Sequence, residues 1–209
     1  MNIGSGIIPI IKDKNNIFYF IFFKSIVRKN KNKNNDILED SGGKLEGNNY
    51  KISAIRELKE ESSLLFNLEC LKNKKDIMLL NKILTKFSIN LNYGSNNYIS
   101  HLIYLENQEK KYFNLEELRK DFISNMRKFW VNGFSFYTEN KDIVFVPVDK
   151  LNNYIFFERT QKVLDKLLTY NINNLIKEIT KTPIILKKTI INNFDYGFPK
   201  KINDLYSYN

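Results

Sequence analysis

The chain has 209 residues, 43% of them hydrophobic, which is enough to bury the core of one domain of ordinary size plus additions. One cysteine excludes an internal disulfide and suits a reducing compartment such as the cytoplasm, one histidine excludes a histidine-built zinc site, and neither a membrane span nor a secretory signal is expected. The net charge of +10 favours polyanionic partners such as RNA, DNA or polyphosphates, although solvated lysines explain it equally well.

The first half of the chain predicts a sheet with one helix. Segments rich in Ile, Phe and Leu predict strands, and they cover residues 3–12, 17–27, 38–44 and 64–71. Residues 29–37 hold Lys, Asn and Asp without core residues, which predicts a mobile basic loop. Residues 52–63 have the apolar spacing of a helix, with Ser53 or Asn49 as its N-cap. Cys70 lies in the last of these strands, so we expect a buried, inert thiol.

The second half predicts further strands and several helices. The pattern of residues 77–87 fits either a short helix or a strand, and residues 90–97, with Gly94, predict a turn. Residues 98–105 predict a central strand in which His101 has a structural role. Helical spacing or amphipathic patterning marks residues 115–130, 157–169 and 173–180, and extended segments are predicted for residues 143–148 and 184–191.

The most informative segment is residues 42–64, where Arg56 is followed by Glu57, Glu60 and Glu61. On a helix these spacings of three and four place the carboxylates on one face. The carboxylates repel one another unless a cation lies among them, and their hard oxygen atoms suit Mg²⁺ or Mn²⁺. The pattern therefore predicts a metal site able to assist attack on a pyrophosphate. The alternative is a solvated surface helix with Lys59 as an ordinary ion-pair partner.

The same segment resembles the Nudix box, which reads Gly, five residues, Glu, seven residues, then Arg-Glu-aliphatic-any-Glu-Glu-any-Gly-aliphatic. The matching residues are Gly43, Arg56, Glu57, Leu58, Glu60, Glu61 and Leu64. Three departures accompany the match. The distance from Gly43 to Arg56 is one residue short, Asn48 or Asn49 stands where the first Glu belongs, and Ser63 replaces the late glycine.

The resemblance implies an α/β fold, namely the Nudix-type α/β/α sandwich with a mixed central sheet. Residues 144–151, with an aromatic residue, Pro147 and an acidic-basic-Leu ending, are also similar to the family's last strand. The expected domain covers residues 1–169, with the box at 42–64 and a helical insertion at about 107–137. Residues 170–209 are then a C-terminal extension. Insertions of this kind shape substrate pockets.

The resemblance also implies a role for each site residue. Glu57, Glu60 and Glu61 are expected to hold one to three Mg²⁺ or Mn²⁺ ions, with the backbone carbonyl of Gly43 as a further ligand. Arg56 is expected to pair with a box carboxylate. The other expected roles are neutralisation of the leaving phosphate by Lys44 and a catalytic glutamate outside the box, with Glu139 as the first candidate and Glu106 as the second.

The wording of the box is closest to that of mRNA-decapping Nudix enzymes from large DNA viruses. By this resemblance the protein removes the 5′ cap of RNA and releases m⁷GDP. The basic residues that agree with an RNA partner cluster at Lys24, Arg28, Lys29, Lys31 and Lys33, and at Lys187, Lys188, Lys200 and Lys201. Three aromatic residues of the insertion, Trp130, Phe134 and Tyr137, are candidates for stacking on the cap base, with core packing as the alternative.

Two other functions stay open at the level of sequence. One is hydrolysis of a soluble substrate, either a nucleotide sugar, a dinucleoside polyphosphate or an inositol pyrophosphate. The other is a binding module that kept the fold and lost catalysis, which the missing first Glu and Ser63 favour. The intact set of Glu57, Glu60 and Glu61 argues against that second alternative. The sequence indicates no oligomeric state.

Overall fold

The computed structural model describes residues 2–29, 36–71, 73–93, 96–133 and 135–186. Within them, one mixed sheet contains the strands β1 (Asn2–Lys12), β2 (Phe18–Lys29), β3 (Asp36–Glu39), β4 (Ser41–Lys44), β5 (Ser88–Tyr93), β6 (Asn96–Asn107), β7 (Asn140–Pro147) and β8 (Ile184–Leu186). The helices are α1 (Tyr50–Glu61), α2 (Lys74–Lys86), α3 (Leu115–Val131), α4 (Glu158–Leu168) and α5 (Ile172–Ile179). The predicted α/β fold with a mixed central sheet is confirmed.

The sheet runs in the order β3-β2-β1-β6-β5, with β4 on β1, β7 on β2 and β8 on β6. Strand β1 pairs in parallel with β6 along one edge. Along its other edge it pairs antiparallel with β2 near Lys12 and with β4 near Gly4. Strands β1 and β2 therefore diverge, and the chain crosses from β3 to β4 through Asp40 beside this divergence.

Helices cover both faces of the sheet. Residues of β1 and β2 that point to opposite faces are fully buried, including Ile7, Ile8, Phe22 and Phe23. On one face, the rings of Tyr50 in α1 and His101 in β6 stack with their centroids 5.6 Å apart. On the other face, the guanidinium of Arg159 in α4 lies 4.5 Å from the ring centroid of Tyr98 in β6. Tyr98 and His101 differ by three positions, so strand alternation places them on opposite faces.

The strand predicted for residues 64–71 is wrong. Helix α1 is followed by a turn and by the 3₁₀ helix Leu68–Cys70, whose cap Asn67 accepts a hydrogen bond from the backbone N–H of Glu69. The apolar residues suggested a strand, but the positive φ angles of Ser63 (50°) and Leu64 (62°) turn the chain away from an extended path. Cys70 therefore lies in a 3₁₀ helix, and its side chain is outside the described part of the structure.

Two other boundaries differ from those predicted. The ambiguous segment 77–87 is helical, because Asn73 caps α2 with a side-chain bond to the backbone N–H of Asp76. The turn predicted for residues 90–97 is wrong in extent, since β5 continues to Tyr93 and β6 begins at Asn96, and Gly94 lies outside the described residues. The paired backbone of these strands outweighs the turn propensity of their asparagines. The predicted strand 38–44 is divided at Asp40 into β3 and β4.

Part of the predicted C-terminal extension packs with the rest of the chain. Strand β8 pairs in parallel with the end of β6, with Ile184 opposite Leu105. Ile176, Ile179 and Ile184 belong to the same buried hydrophobic cluster as the strands of the sheet. The domain boundary at residue 169 stays a prediction, and residues 187–209 lie outside the described residues. None of the described helices combines the length and apolar character that a membrane crossing needs.

Candidate metal and active site

The candidate site is built where α1 lies against β4. The backbone N–H of Gly42 donates a hydrogen bond of 3.3 Å to Glu61 Oε1. At the next residue, a Cβ on Gly43 would lie only 2.2 Å from Glu57 Oε1, so the carboxylate of Glu57 covers this glycine. Ser5 of β1 donates through its hydroxyl to the carbonyl of Tyr50 (2.7 Å) and fixes the start of α1. Two box carboxylates therefore converge on two consecutive glycines.

The N-terminal end of α1 is set by two different side chains. Asn49 is the N-cap, and its side-chain oxygen accepts from the backbone N–H groups of Lys51 and Ile52. Ser53, the alternative cap, lies inside the helix, where its hydroxyl accepts from the N–H of Glu46 and donates to the Glu46 carbonyl.

Counted from Gly42 instead of Gly43, the spacing to Arg56 has the full length of the Nudix pattern, so the apparent shortening of this loop disappears.

The C-terminal end of α1 is a Schellman motif. Ser62 is the C-cap, and the N–H groups of Ser63 and Leu64 donate to the carbonyls of Glu60 (3.0 Å) and Lys59 (2.9 Å). The first residue after the cap commonly has a left-handed conformation and is usually glycine. Ser63 adopts that conformation with φ of 50°. The serine that replaces the late glycine of the pattern therefore keeps the conformation that a glycine provides.

Arg56 joins two of the box carboxylates. Its Nη2 lies 2.5 Å from Glu57 Oε1, and its Nη1 lies 2.5 Å from Glu60 Oε2. Its Nε lies 3.4 Å from the carboxylate of Glu46, which is mostly exposed. The planar guanidinium is suited to such forked contacts and fixes both carboxylates at once.

The carboxylates of α1 have raised pKa values. Partial burial raises the pKa of Glu60 to about 7, with Arg56 opposing the shift and Glu57 adding to it. Burial also raises the pKa of Glu57, against the lowering effect of Arg56. Burial and the charge of Glu57 raise the pKa of Glu61 well above its ordinary range, and Arg159 opposes this. Like charges held together away from water make a bound cation favourable here.

The donor atoms fit a hard divalent cation that is only partly enclosed by protein. Among the described residues, no group of three or more acidic, histidine or cysteine side chains is arranged to hold a metal ion. Mg²⁺ does not need such a group, because it usually keeps several waters and binds one or two carboxylates together with substrate phosphates. Glu57 and Glu61, which approach adjacent backbone groups of β4, supply such a pair of carboxylates. Glu60 lies about one helical turn after Glu57 and is paired with Arg56.

The two candidates for the catalytic glutamate outside the box lie at different places. Glu139 is exposed and follows the 3₁₀ helix Ser135–Thr138, and its charge contributes to the raised pKa of Glu57. Glu106 lies near the other end of β6, opposite Ile185, and helps to raise the pKa of Tyr104. At about 3.3 Å per residue, Glu106 is roughly 26 Å along β6 from Tyr98. Geometry therefore favours Glu139.

A buried polar network beside the box was missed at the level of sequence. Asp40 is fully buried and accepts hydrogen bonds from Tyr98 Oη (2.7 Å), Thr160 Oγ1 (2.7 Å) and Arg159 Nη2 (3.1 Å). The ring of Tyr98 lies over glycines of β1 and β4, since a Cβ on Gly42 would lie 2.0 Å from its hydroxyl oxygen. Arg159 and Thr160 are far from Asp40 in sequence, so no local pattern announces the network.

Asn140 of β7 was also missed. It is buried, and its Nδ2 donates to the backbone carbonyl of Glu61 at 3.3 Å and approaches Glu61 Oε2 at 3.4 Å. The carboxylate of Glu61 thus lies between Gly42 on β4 and Asn140 on β7. An asparagine at the start of a strand more often indicates a turn, so the local sequence pattern only weakly indicates a role for Asn140 in the site.

The residues proposed for substrate contact are only partly described. Lys44 is exposed beside Gly43, and Trp130 is 66% exposed at the end of α3. Tyr137 is half-buried, with its ring centroid 4.5 Å from that of Phe129, so it packs against α3. Phe134 and the side chains of all the basic clusters except Lys24 lie outside the described residues. Lys24 is 4.0 Å from the carboxylate of Asp142.

Comparisons with known proteins give low similarities. No family model matches the chain, and no curated protein matches it. Among solved structures, it is similar to a C. elegans Ap4A hydrolase in a binary complex, with 13% identity, a TM-score of 0.46, and coverage of 81% of this chain and 96% of the other. It is also similar to a MutT/nudix family protein from Enterococcus faecalis, with 12% identity, a TM-score of 0.36, and coverage of 69% and 42%.

Proposed function

We propose that this protein is a divalent-cation-dependent hydrolase that cleaves phosphoanhydride bonds. The observation that carries the proposal is the convergence of the Glu57 and Glu61 carboxylates on Gly42 and Gly43. The carboxylates of a solvated surface helix would point into water. Here two carboxylates with raised pKa values lie against a strand backbone. Carboxylates arranged in this way would suit Mg²⁺ or Mn²⁺, which bind one or two carboxylates together with substrate phosphates.

The reaction joins the oxygen of a water molecule to one phosphorus atom while the bridging P–O bond breaks. When bound, Mg²⁺ or Mn²⁺ offsets the negative charge of the phosphate oxygens and favours deprotonation of the attacking water. Glu57, Glu60 and Glu61 would hold the cation, and the carbonyl of Gly43 would be a further oxygen donor. Arg56 fixes Glu57 and Glu60 in their rotamers through its two short ion pairs.

Two residues outside the carboxylate set complete the proposed machinery. Glu139 accepts the proton of the attacking water, which its exposed position and its closeness to Glu57 support. Lys44 neutralises charge on the leaving phosphate, and its exposed position next to Gly43 supports that role. Neither role uses Glu57, Glu60 or Glu61, so these three carboxylates stay free to bind the cation.

We propose capped RNA as the substrate, so that cleavage releases m⁷GDP. The net charge of +10 supports an RNA partner, and so does the exposed indole of Trp130, because the exposed Arg127 lies three residues earlier on the same face of α3. A base that stacks on Trp130 would then have a cation on the same helix face for its phosphate. Soluble diphosphates such as dinucleoside polyphosphates, nucleotide sugars and inositol pyrophosphates are the alternative substrates.

The test is a product assay on a panel of diphosphates. Purified protein is given capped RNA, a dinucleoside polyphosphate, a nucleotide sugar or an inositol pyrophosphate, with Mg²⁺, Mn²⁺ or EDTA. Glu57→Gln serves as the matched preparation that excludes a contaminating enzyme. Metal-dependent release of m⁷GDP supports decapping, whereas turnover of a soluble compound with intact RNA supports the alternative. Inertness toward the whole panel, with binding retained, indicates a binding module and refutes the proposed activity.

A further inference from the structure

Side chains from the predicted insertion and from β7 hold the C-terminal end of α1. Asn125 of α3 donates through Nδ2 to the carbonyl of Ser63 (3.0 Å), and the hydroxyl of Ser63 donates to the carbonyl of Tyr137 (2.6 Å). Asn140 donates to the carbonyl of Glu61 (3.3 Å). The side chains of Ser63, Asn125 and Asn140 are all buried. We call these four residues, Ser63, Asn125, Tyr137 and Asn140, the α1 clamp.

The clamp explains why a serine occupies a position that favours glycine. A residue with φ of 50° is less strained as glycine, but glycine has no hydroxyl to donate to Tyr137. Asn125 donates to the Ser63 carbonyl, which lies immediately after the C-cap of α1. The contacts join residues 62 and 74 positions apart, so they connect the box to the insertion directly.

The insertion side of the clamp is itself packed. The rings of Phe129 and Tyr137 have their centroids 4.5 Å apart, which joins α3 to the 3₁₀ helix Ser135–Thr138. Phe129 is 1% exposed, so its ring is anchored in the interior. A rigid acceptor at Tyr137 transmits the position of α3 to the last turn of α1, which carries Glu60 and Glu61.

We propose that Ser63 and Asn125 are positioning residues that set the placement of Glu60 and Glu61 for the proposed hydrolase reaction. The inference rests on the proposed function, because positioning matters only if those carboxylates hold a cation. A displacement of about 1 Å in a catalytic group can reduce a rate by roughly a hundredfold. Through Asn125 and Tyr137, segment 115–138 thus takes part in the proposed catalysis by positioning α1, in addition to any contact that Trp130 makes with the substrate.

The experiment compares three single substitutions. Asn125→Ala removes the donor to Ser63, and Ser63→Gly removes the donor to Tyr137 while relieving the backbone, so the second variant folds even if the first does not. Asn132→Ala is the matched control, because Asn132 is exposed and its side chain bonds, among the contacts described, only to the Lys128 carbonyl of its own helix. Amide hydrogen exchange of residues 58–66, Mn²⁺ affinity, kcat and KM are measured for each variant and for the wild type.

The positioning role predicts faster exchange in residues 58–66 for both clamp variants, a tenfold or greater loss of kcat per folded molecule, and a KM within about threefold of wild type. The control keeps wild-type values. Unchanged exchange overturns the clamp, and normal kcat with faster exchange overturns its positioning role. If the wild type binds Mn²⁺ but cleaves no diphosphate, only the proposed function fails, and tenfold weaker Mn²⁺ binding by both variants then supports the clamp, whereas equal binding overturns it. A wild type that binds no Mn²⁺ overturns both.

Discussion

The carboxylate of Glu57 occupies the space that a side chain at Gly43 would need. A Cβ built on Gly43 would lie 2.2 Å from Oε1 and 2.6 Å from the carboxyl carbon of Glu57. Real Cβ atoms do not show such distances, so the Glu57 carboxylate can lie here only because residue 43 has no side chain. The carboxylates of Glu57 and Glu61 therefore lie directly against the backbone of the short strand β4.

Gly43→Ala is expected to displace the Glu57 carboxylate and to reduce the hydrolysis rate by roughly tenfold to a hundredfold. The φ of Gly43 is not in the left-handed region, so the effect is steric and the protein still folds. Gly133→Ala is the control, because Gly133 has φ of 76° and a Cβ added there would have nothing within 4 Å. It should cost about 1 kcal/mol of stability without a rate change. Rates and thermal unfolding of both variants decide, and a fully active Gly43→Ala contradicts the arrangement.

Arg56→Lys is expected to reduce the rate by about tenfold or more, although it keeps the charge. A lysine ammonium cannot make the two forked contacts, 2.5 Å each, that Arg56 makes with Glu57 and Glu60. The released carboxylates then repel each other. Arg119→Lys is the matched control. Arg119 makes a second forked ion pair, with Asp142, and the Arg119 side chain is largely exposed. Steady-state kinetics of both variants are compared, and equal rates would show that Arg56 does not orient the carboxylates.

Glu139→Gln and Glu106→Gln separate the two candidates for the extra glutamate. Glu139 lies close enough to affect the pKa of Glu57, whereas Glu106 lies beside Ile185 at the distal end of β6. Loss of a general base costs about a hundredfold, so Glu139→Gln should lower kcat by that factor, with a smaller change in KM. Glu106→Gln should keep wild-type kinetics. The reverse ranking in a pair of parallel assays would transfer the role to Glu106.

Local sequence determines the part of the site that was predicted. The spacing of Glu57, Glu60 and Glu61 follows from helix geometry alone, and Asn49 caps the helix through backbone groups two and three residues away. These interactions are short in sequence, so a pattern reveals them. The pairing of Arg56 with Glu60 is likewise a contact between neighbouring turns of one helix.

The parts that were missed depend on contacts that are remote in sequence. The chain after α1 was expected to be extended because residues 64–71 are apolar, yet Ser63 turns the chain while held by Asn125 and Tyr137. Asp40 meets Arg159 and Thr160 across more than a hundred residues. Such pairings arise from the packing of α3 and α4 on the sheet, which no local periodicity encodes.

His101 is expected to stay neutral far below the usual pH of histidine titration. It is fully buried, and since a carbonyl only accepts, its Nδ1 carries the proton that bonds to the Leu84 carbonyl at 2.7 Å. Protonation must then occur at Nε2, which is buried and has no hydrogen-bond acceptor within the described residues. Burial, together with the charge of Lys51 and against the Leu84 bond, lowers the pKa of His101 to about 4.

This lowered pKa has a defined effect on stability. The neutral imidazole contributes stability that is fully present above pH 6.5 and is lost as pH falls toward 4, a change of about 3 kcal/mol. NMR spectra are simple to assign here because the chain has a single histidine. The imidazole signals should titrate near pH 4 in the folded protein and near pH 6.5 in urea. A folded-state midpoint near 6.5 would contradict the burial of this ring.

Arg159→Ala is expected to destabilise the fold far more than Arg119→Ala. Removal of Arg159 leaves the fully buried Asp40 carboxylate without its cation, which typically costs roughly 3–5 kcal/mol in a protein interior. The Arg119 side chain is 56% exposed, so its ion pair with Asp142 is worth about 1 kcal/mol or less. Urea unfolding at pH 7 measures both losses. Arg159→Lys should recover part of the stability, because a lysine restores the charge without the contact over the Tyr98 ring. Equal losses for the two alanine variants would mean that Asp40 finds another partner once Arg159 is gone.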